Sequence, residues 1–437
     1  MNSAPKSVWQ QLNRGWRYWT GAALTLLAGM LASALVDRYA STSKVRYQFF
    51  QWLVELDPRD IQERYVKRVM VGDEEYWKGP LAGRRPIKRD YLAKLLAAVD
   101  TGKPLIIAMD FDLRLPDPER LSIPEDYREE SEILARAVLQ VAADREIVLP
   151  ANVSFAKGGG YAMDPSLFQV FGICSRVAKD GTWTHEGTPA LPISANARRN
   201  IRCGYIELPP DMRSLPPVLS LDNGGELDSF SLAITRLRSP DAARSLGHTM
   251  RYASFVRSED PNRPAALDLK SRRQFSASEV LGGDIDLKEA LAGAIVIVGG
   301  SWSPLAAGRG KTPVDSKVTP VGSIPGARVH SNYVEALLDS RTYPAVPHRV
   351  IMWCEAAFGI LASLLFALCT TVWRQLGSVV ALTIALLVIQ WALINFLGIV
   401  FEALLLVISV WLHSFLEPWA EKLFGEEHSK HSEGATS

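Results

Sequence analysis

The sequence predicts an α/β extracytoplasmic domain with a mostly parallel sheet, held between one N-terminal and three C-terminal transmembrane helices. Three observations predict it. Long uncharged apolar runs lie near both ends of the 437-residue chain. Short runs that are apolar on both faces recur in its middle, as strands of a sheet covered on both sides do. Between them lie segments with apolar residues at helical spacing, and strand–helix alternation implies parallel βαβ units. The formal net charge of +1 argues against nucleic acid as a partner, because phosphate binding needs clustered cations.

The first apolar run is residues 18–36, with 19 residues and no charge. At ~1.5 Å per residue it crosses a bilayer core of ~30 Å. Lys6, Arg14 and Arg17 precede it with no acidic residue, which places residues 1–17 in the cytoplasm. Ala32 and Ala34 also resemble a signal-peptide cleavage site. The long basic region favours an uncleaved anchor, as does a run exceeding the usual ~7–15 apolar residues of a signal. The second run covers 349–372, and Arg374 and Gln375 end it. From Leu376 to Leu416 there are 41 residues without Lys or Arg. They fit two spans, 376–395 and 398–416, with a turn near Asn395 to Gly398. Trp373, Trp391 and Trp411 fall at interface depths. Four spans put Arg374 in a short cytoplasmic loop and the polar tail 417–437 in the cytoplasm, and leave residues 37–346 outside. The lipid bilayer is therefore the first expected partner. A tail this short holds no independent catalytic domain.

Within the external region the expected strands are Arg68–Val71, Leu105–Met109, Ile147–Leu149 and Ala294–Val298. Expected helices are Lys88–Thr101, stopped by Gly102, then Glu130–Ala143, and His330–Leu338 after the last strand. The stretch 154–217 has a Gly158–Gly160 run, scattered prolines and weak periodicity. It reads as an irregular insertion with a hairpin near Ile201–Ile206. Residues 306–325 read as a loop. Cys354 and Cys369 lie in the second span and match no metal spacing. Cys174 and Cys203 lie outside, where a disulfide can persist; they either pair or stand as two buried thiols.

The plan resembles the type-two CHASE domain, an extracytoplasmic sensory domain of bacterial signalling proteins with one span before the sensor and three after. Residues 66–77, VKRVMVGDEEYW, are similar to that family's first strand and acidic turn. Arg84–Leu92 is similar to the segment opening its first helix, and 105–112, LIIAMDFD, to its second strand. Residues 250–281 with Tyr252, Phe275, Ser276 and Val280 resemble the segment before its last strand. The longest resemblance is 290–338, where ALAGAIVIVGGSWSP leads to DSKVTPVGSIPGARVHSNYVEALL. The loop Leu305–Pro313 is longer than the family's, and its tryptophan-rich early motif is reduced to Arg84-Arg85-Pro86. Family members carry an output domain after the last span, and none is recognised here. The resemblance implies a bacterial plasma-membrane location, a homodimer, and a separate effector protein.

In open parallel sheets, ligands bind beyond the C-terminal strand ends. The candidates there are Asp73, Asp110, Asp112, Gly299 and Gly300, followed by Trp302, Asp315 and Thr319, with Arg84, Arg85 and Arg89 at the first helix. They form either a pocket for a small ligand or a set of helix caps and ion pairs. Asp110-x-Asp112 after an apolar strand also resembles the nucleophile and acid/base pair of haloacid-dehalogenase-type phosphatases, although Leu113 and Arg114 break that motif. Gly310-Lys311-Thr312 is no P-loop, because Leu305 stands where glycine is required. The chain has no G-x-S-x-G or H-E-x-x-H motif, so no serine hydrolase or zinc protease is expected, and neither a metal nor a cofactor. His330 either reports external pH or packs at a helix start. Glu355 and Glu402 are intramembrane carboxylates, and so functional candidates, unless they reach the interface.

The leading expectation is a membrane-bound sensory module without an activity of its own, acting on a separate effector. The alternatives are an envelope scaffold that binds other proteins, and an external phosphatase using Asp110 and Asp112.

Overall fold

Aliphatic runs buried on both faces build one six-stranded sheet. Its strands are β1 (Val66–Val71), β2 (Ile106–Asp110), β3 (Glu146–Ala151), β4 (Ile201–Tyr205), β5 (Gln274–Ser276) and β6 (Ile295–Gly300), in the order β5-β1-β6-β2-β3-β4. All neighbouring strands are parallel. Parallel strands need crossovers that return over a face, and this burial on both sides explains why the strands read as continuous apolar runs.

The computed structural model describes residues 48–53, 62–115, 124–156, 160–174, 191–208, 215–241, 268–303, 315–319, 321–344 and 372–399, with short pieces at 56, 176–177, 183–184, 246, 251–253, 346–347, 349–350, 353–354, 357–358, 361 and 411. The chain divides into two units, one of Arg59–Thr342 and one of Met1–Pro58 with Tyr343–Ser437.

In the first unit the sheet lies between two helical layers. On one face α1 (Arg89–Thr101) packs against α2 (Tyr127–Ala142) and α4 (Ala277–Gly282). On the other, α3 (Phe230–Arg238) packs against α5 (Gly326–Leu338), with α5 over β1 and β6 and α3 over β2, β3 and β4. Phe230, Ala233, Ile234, Ala327 and Val334 interlock there with Val66, Met70, Ile106, Ala108, Val148, Ile295 and Ile297. Their alternate neighbours Val69, Ile107, Ile147, Val296 and Val298 are equally buried on the opposite face, as the two-residue period of a strand requires.

Three expectations need correction. Ile201–Ile206 is no hairpin: Ile201–Tyr205 is β4, an edge strand pairing in parallel with β3 from Ile147↔Ile201 to Ala151↔Tyr205. Its exposed Arg202 and small Gly204 hid it. A β-carbon at Gly204 would lie 2.6 Å from the Phe230 Cα, so glycine is what lets α3 lie against this strand. The last helix starts at Gly326 rather than His330, because Pro325 can precede a first turn but cannot continue a helix. His330, Ser331 and Asn332 are thereby mid-helix and buried, not capping. The supposed loop 306–325 holds, in its described part, an antiparallel hairpin of Ser316–Thr319 with Gly322–Pro325.

Helix α5 is tied to the sheet by an unusual contact. Glu335, fully buried, accepts hydrogen bonds from three backbone N–H groups at the entry to β1: Arg64 (3.0 Å), Tyr65 (2.7 Å) and Val66 (2.7 Å). The Val66 amide is buried, and Glu335 supplies its acceptor. Cys174 and Cys203 are joined by a disulfide with a Cα–Cα distance of 6.4 Å, anchoring the start of the irregular insertion to β4.

In the second unit, α6 (Val372–Ala392) runs on through a π-helical turn (Leu393–Leu397) and stops at Gly398, whose φ of 63° is left-handed. Leu376–Leu397 is long and apolar enough to cross a membrane, the one such helix among the described residues. It extends the expected span 376–395 by two residues. The expected span 18–36 lies outside the described residues, 349–372 and 398–416 lie largely outside them, and Glu355 and Glu402 fall in the parts not described. Cys354 is a free, exposed thiol.

Candidate functional site

The winding of the sheet marks one place on it. β6 continues to α5 on one face, whereas its neighbours β1 and β2 continue to α1 and α2 on the other. Where adjacent crossovers diverge, a crevice opens beyond the C-terminal strand ends. Asp110 ends β2 there, in register with Gly299 of β6. A β-carbon at Gly299 would lie 2.5 Å from the Ala327 Cβ, so the glycine admits the first turn of α5 against the strand. That close approach brings His330, one turn further along, toward Asp110.

The His330 Nε2 lies 3.9 Å from an Asp110 carboxyl oxygen, beyond hydrogen-bond reach. The same nitrogen is 3.2 Å from the Ile206 carbonyl, so it carries the proton and donates to that oxygen. Nδ1 is then the acceptor, facing the Ser231 hydroxyl of α3 at 3.3 Å, and the Phe230 ring packs edge-on at 5.1 Å between centroids. Burial pushes the His330 pKa down to about 4. Burial, with the charge of Asp315 adding to it, pushes Asp110 up to about 8. Both groups are therefore neutral at pH 7, and their proximity is not an ion pair.

Two further groups complete the crevice. Glu207, two residues past β4, accepts from the Asn152 side chain (3.0 Å) and the Val153 backbone N–H (3.0 Å). Burial raises its pKa. Its other carboxylate oxygen and the Asn152 side-chain oxygen are buried with no described partner. From the far side, Lys317 on the hairpin pairs with Asp315 at 3.2 Å, and both charges reach Asp110. The result is a buried set of polar groups around one protonated carboxyl, including two acceptor atoms with no described partner. Among the described residues, no group of three His, Cys, Asp or Glu side chains is placed to hold a metal ion.

Of the residues picked out from sequence, Asp110, Gly299 and Asp315 meet here, and Gly300 closes β6 beside them. The others have different surroundings. Asp73 accepts from the Ser303 backbone N–H (2.6 Å) and hydroxyl (2.9 Å), clamping the loop after β6 to that after β1. Trp302 stacks on Tyr76 at 4.4 Å. Arg84 bridges Asp126 (2.7 Å) and Glu130 (2.6 Å) at the start of α2. Arg89 is buried against the Tyr127 ring at 4.0 Å and donates to Ser131, and Arg85 reaches the Tyr76 hydroxyl at 3.4 Å. Asp112 is half exposed and chelated by its neighbour Arg114. Thr319 is buried in the hairpin, opposite Gly322. Glu207, Asn152, Ser231 and Lys317 were missed. Glu207 and Asn152 carried one legible signal, a polar residue just past a strand end, but for Glu207 it required β4 to be recognised as a strand.

No curated protein and no solved structure matches the chain. A family model described as the CHASE2 domain matches residues 21–373. The match covers most of the chain, from within the first apolar run through the whole α/β unit. The chain therefore belongs to the CHASE2 domain family, a family of extracytoplasmic sensory domains.

Proposed function

We propose that the chain is a multi-pass plasma-membrane sensory module that detects an extracytoplasmic stimulus and signals through its spans to an effector on a separate chain. The observation that carries this reading is the family match itself, over residues 21–373. It takes in most of the first apolar run, the α/β unit and the expected second span. The topology of one span before the domain and three after it agrees with the apolar runs, and with Leu376–Leu397 as a helix of spanning length. The crevice around Asp110 is the place to read a small ligand, because it holds buried acceptor atoms with no partner among the described residues. Signalling then requires a ligand that binds one arrangement of the domain better than another. Helix α5 is suited to transmit it, since it touches the crevice through His330 and the entry to β1 through Glu335.

The arrangement of the two aspartates weighs against a phosphatase. Asp110 is protonated and buried, hence a poor nucleophile at neutral pH, and Asp112 is held by Arg114. Mild crosslinking in native membranes, followed by affinity purification and mass spectrometry, tests the proposal. Stoichiometric recovery of a cytoplasmic or membrane enzyme supports it. Recovery of the chain alone, or with only external envelope proteins, replaces it with the scaffold reading.

A further inference from the structure

The opposite, N-terminal ends of the strands carry a second concavity, separate from the crevice around Asp110. It has a volume of about 470 Å³ and lies where the chain enters β1 and β6. Six cationic side chains line it: Arg64, Lys67, Arg238, Lys270, Arg273 and Lys288. Among the described lining residues, Glu289 is the one carboxylate. Such an excess is far out of proportion to a chain whose net charge is +1. Four separate segments supply the cations: the entry to β1, the end of α3, the approach to β5 and the short helix before β6. No single helix face or charge run explains it.

Negative charge reaches two of these cations, Asp268 acting on Lys67 and Glu63 on Arg273. Among the described residues, no carboxylate forms an ion pair with Arg238, Lys270 or Lys288. Lys67 is buried at the floor, where its ammonium donates to the Leu269 carbonyl at 3.1 Å and to the Ala290 carbonyl. Arg273 is fixed by donating to the Arg64 carbonyl at 3.2 Å. Burial lowers the Lys67 pKa, and the positive charge of Arg273 lowers it further, the sign of mutual repulsion across the cleft. A concave site lined by one sign of charge concentrates counter-ions of the other. The volume falls within the ~300–1,000 Å³ of small-molecule sites, well above the need of a single monovalent ion.

We propose that this basic cleft is a binding site for a polyanionic group carrying two or more phosphates, such as a soluble oligophosphate or the diphosphate-bearing headgroup of an anionic lipid. The lysines supply point charges and the arginines the forked donors that match phosphate oxygens.

The test uses the full chain, purified in a neutral detergent and stripped of lipid, beside a Lys270→Glu/Lys288→Glu variant. Both positions are exposed, so the reversal is expected to leave the fold intact, which an unchanged melting temperature checks. Inorganic tripolyphosphate binding is followed by calorimetry at two salt concentrations, and cardiolipin retention by native mass spectrometry. The expected result is salt-sensitive binding of at least one probe, weakened roughly tenfold or more by the double reversal. A loss confined to tripolyphosphate assigns a soluble source, and one confined to cardiolipin assigns a headgroup. Loss of both confirms the shared chemistry. Absence of binding by either probe, or binding indifferent to the reversal, overturns the proposal. None of these outcomes depends on the effector experiment, so the sensory reading and the cleft stand or fall separately.

Discussion

At 3.9 Å, Asp110 and His330 would attract strongly if both were charged, yet burial keeps each neutral near pH 7. The signs oppose one another. Asp110 has its pKa raised from 3.8 to about 8, so the fold holds a proton that the unfolded chain releases. Its contribution to stability is full below pH 3.8 and is lost as pH rises to about 8. His330 is lowered from 6.5 to about 4. Its contribution is full above pH 6.5 and is lost as pH falls through about 4. We predict that Asp110→Asn gains stability over the native protein as pH rises from 5 to 7, by roughly 2–3 kcal/mol. Urea midpoints at the two pH values measure this, and parallel pH slopes for both proteins would refute it. That Asp110 ends an apolar strand was legible in the sequence. Its protonation was not, because the helix and hairpin that bury it come from more than 200 residues further along the chain.

At the scale of elements, the long central strands and α1 declared themselves through periodicity. The failures were elements that tertiary contact maintains. β5 is three residues long with only Phe275 fully buried, and β4 mixes buried residues with exposed Arg202. Both sit at sheet edges, where one neighbour rather than a two-sided apolar run holds a strand. Helix α5 depends on Gly299, whose missing β-carbon admits Ala327. Gly299→Val should therefore push α5 off β6, displace His330 from Asp110 and destabilise the domain by about 1–3 kcal/mol or more. Denaturant unfolding monitored by tryptophan fluorescence reads the loss. A variant as stable as the native protein would show that the strand and helix can separate at no expense.

At the scale of the whole molecule, the proposed topology makes its own prediction. A reporter fused after Arg374 should read cytoplasmic and one inserted within residues 150–300 external, as alkaline phosphatase and fluorescent-protein fusions would show. A cytoplasmic signal from the middle of the chain would overturn the sensory proposal. Apolar runs, strand–helix alternation and the motifs around 290–338 were enough to establish an α/β domain with a mostly parallel sheet and its family, because each is a local pattern repeated along the chain. Strand order β5-β1-β6-β2-β3-β4, the partners of Arg84 and Arg89, the crevice formed by Asp110, Glu207 and His330, and the basic cleft were settled only in three dimensions. Hydrophobic periodicity says which face of an element is buried but not against what, and a group's charge and partners depend on residues brought together across hundreds of positions.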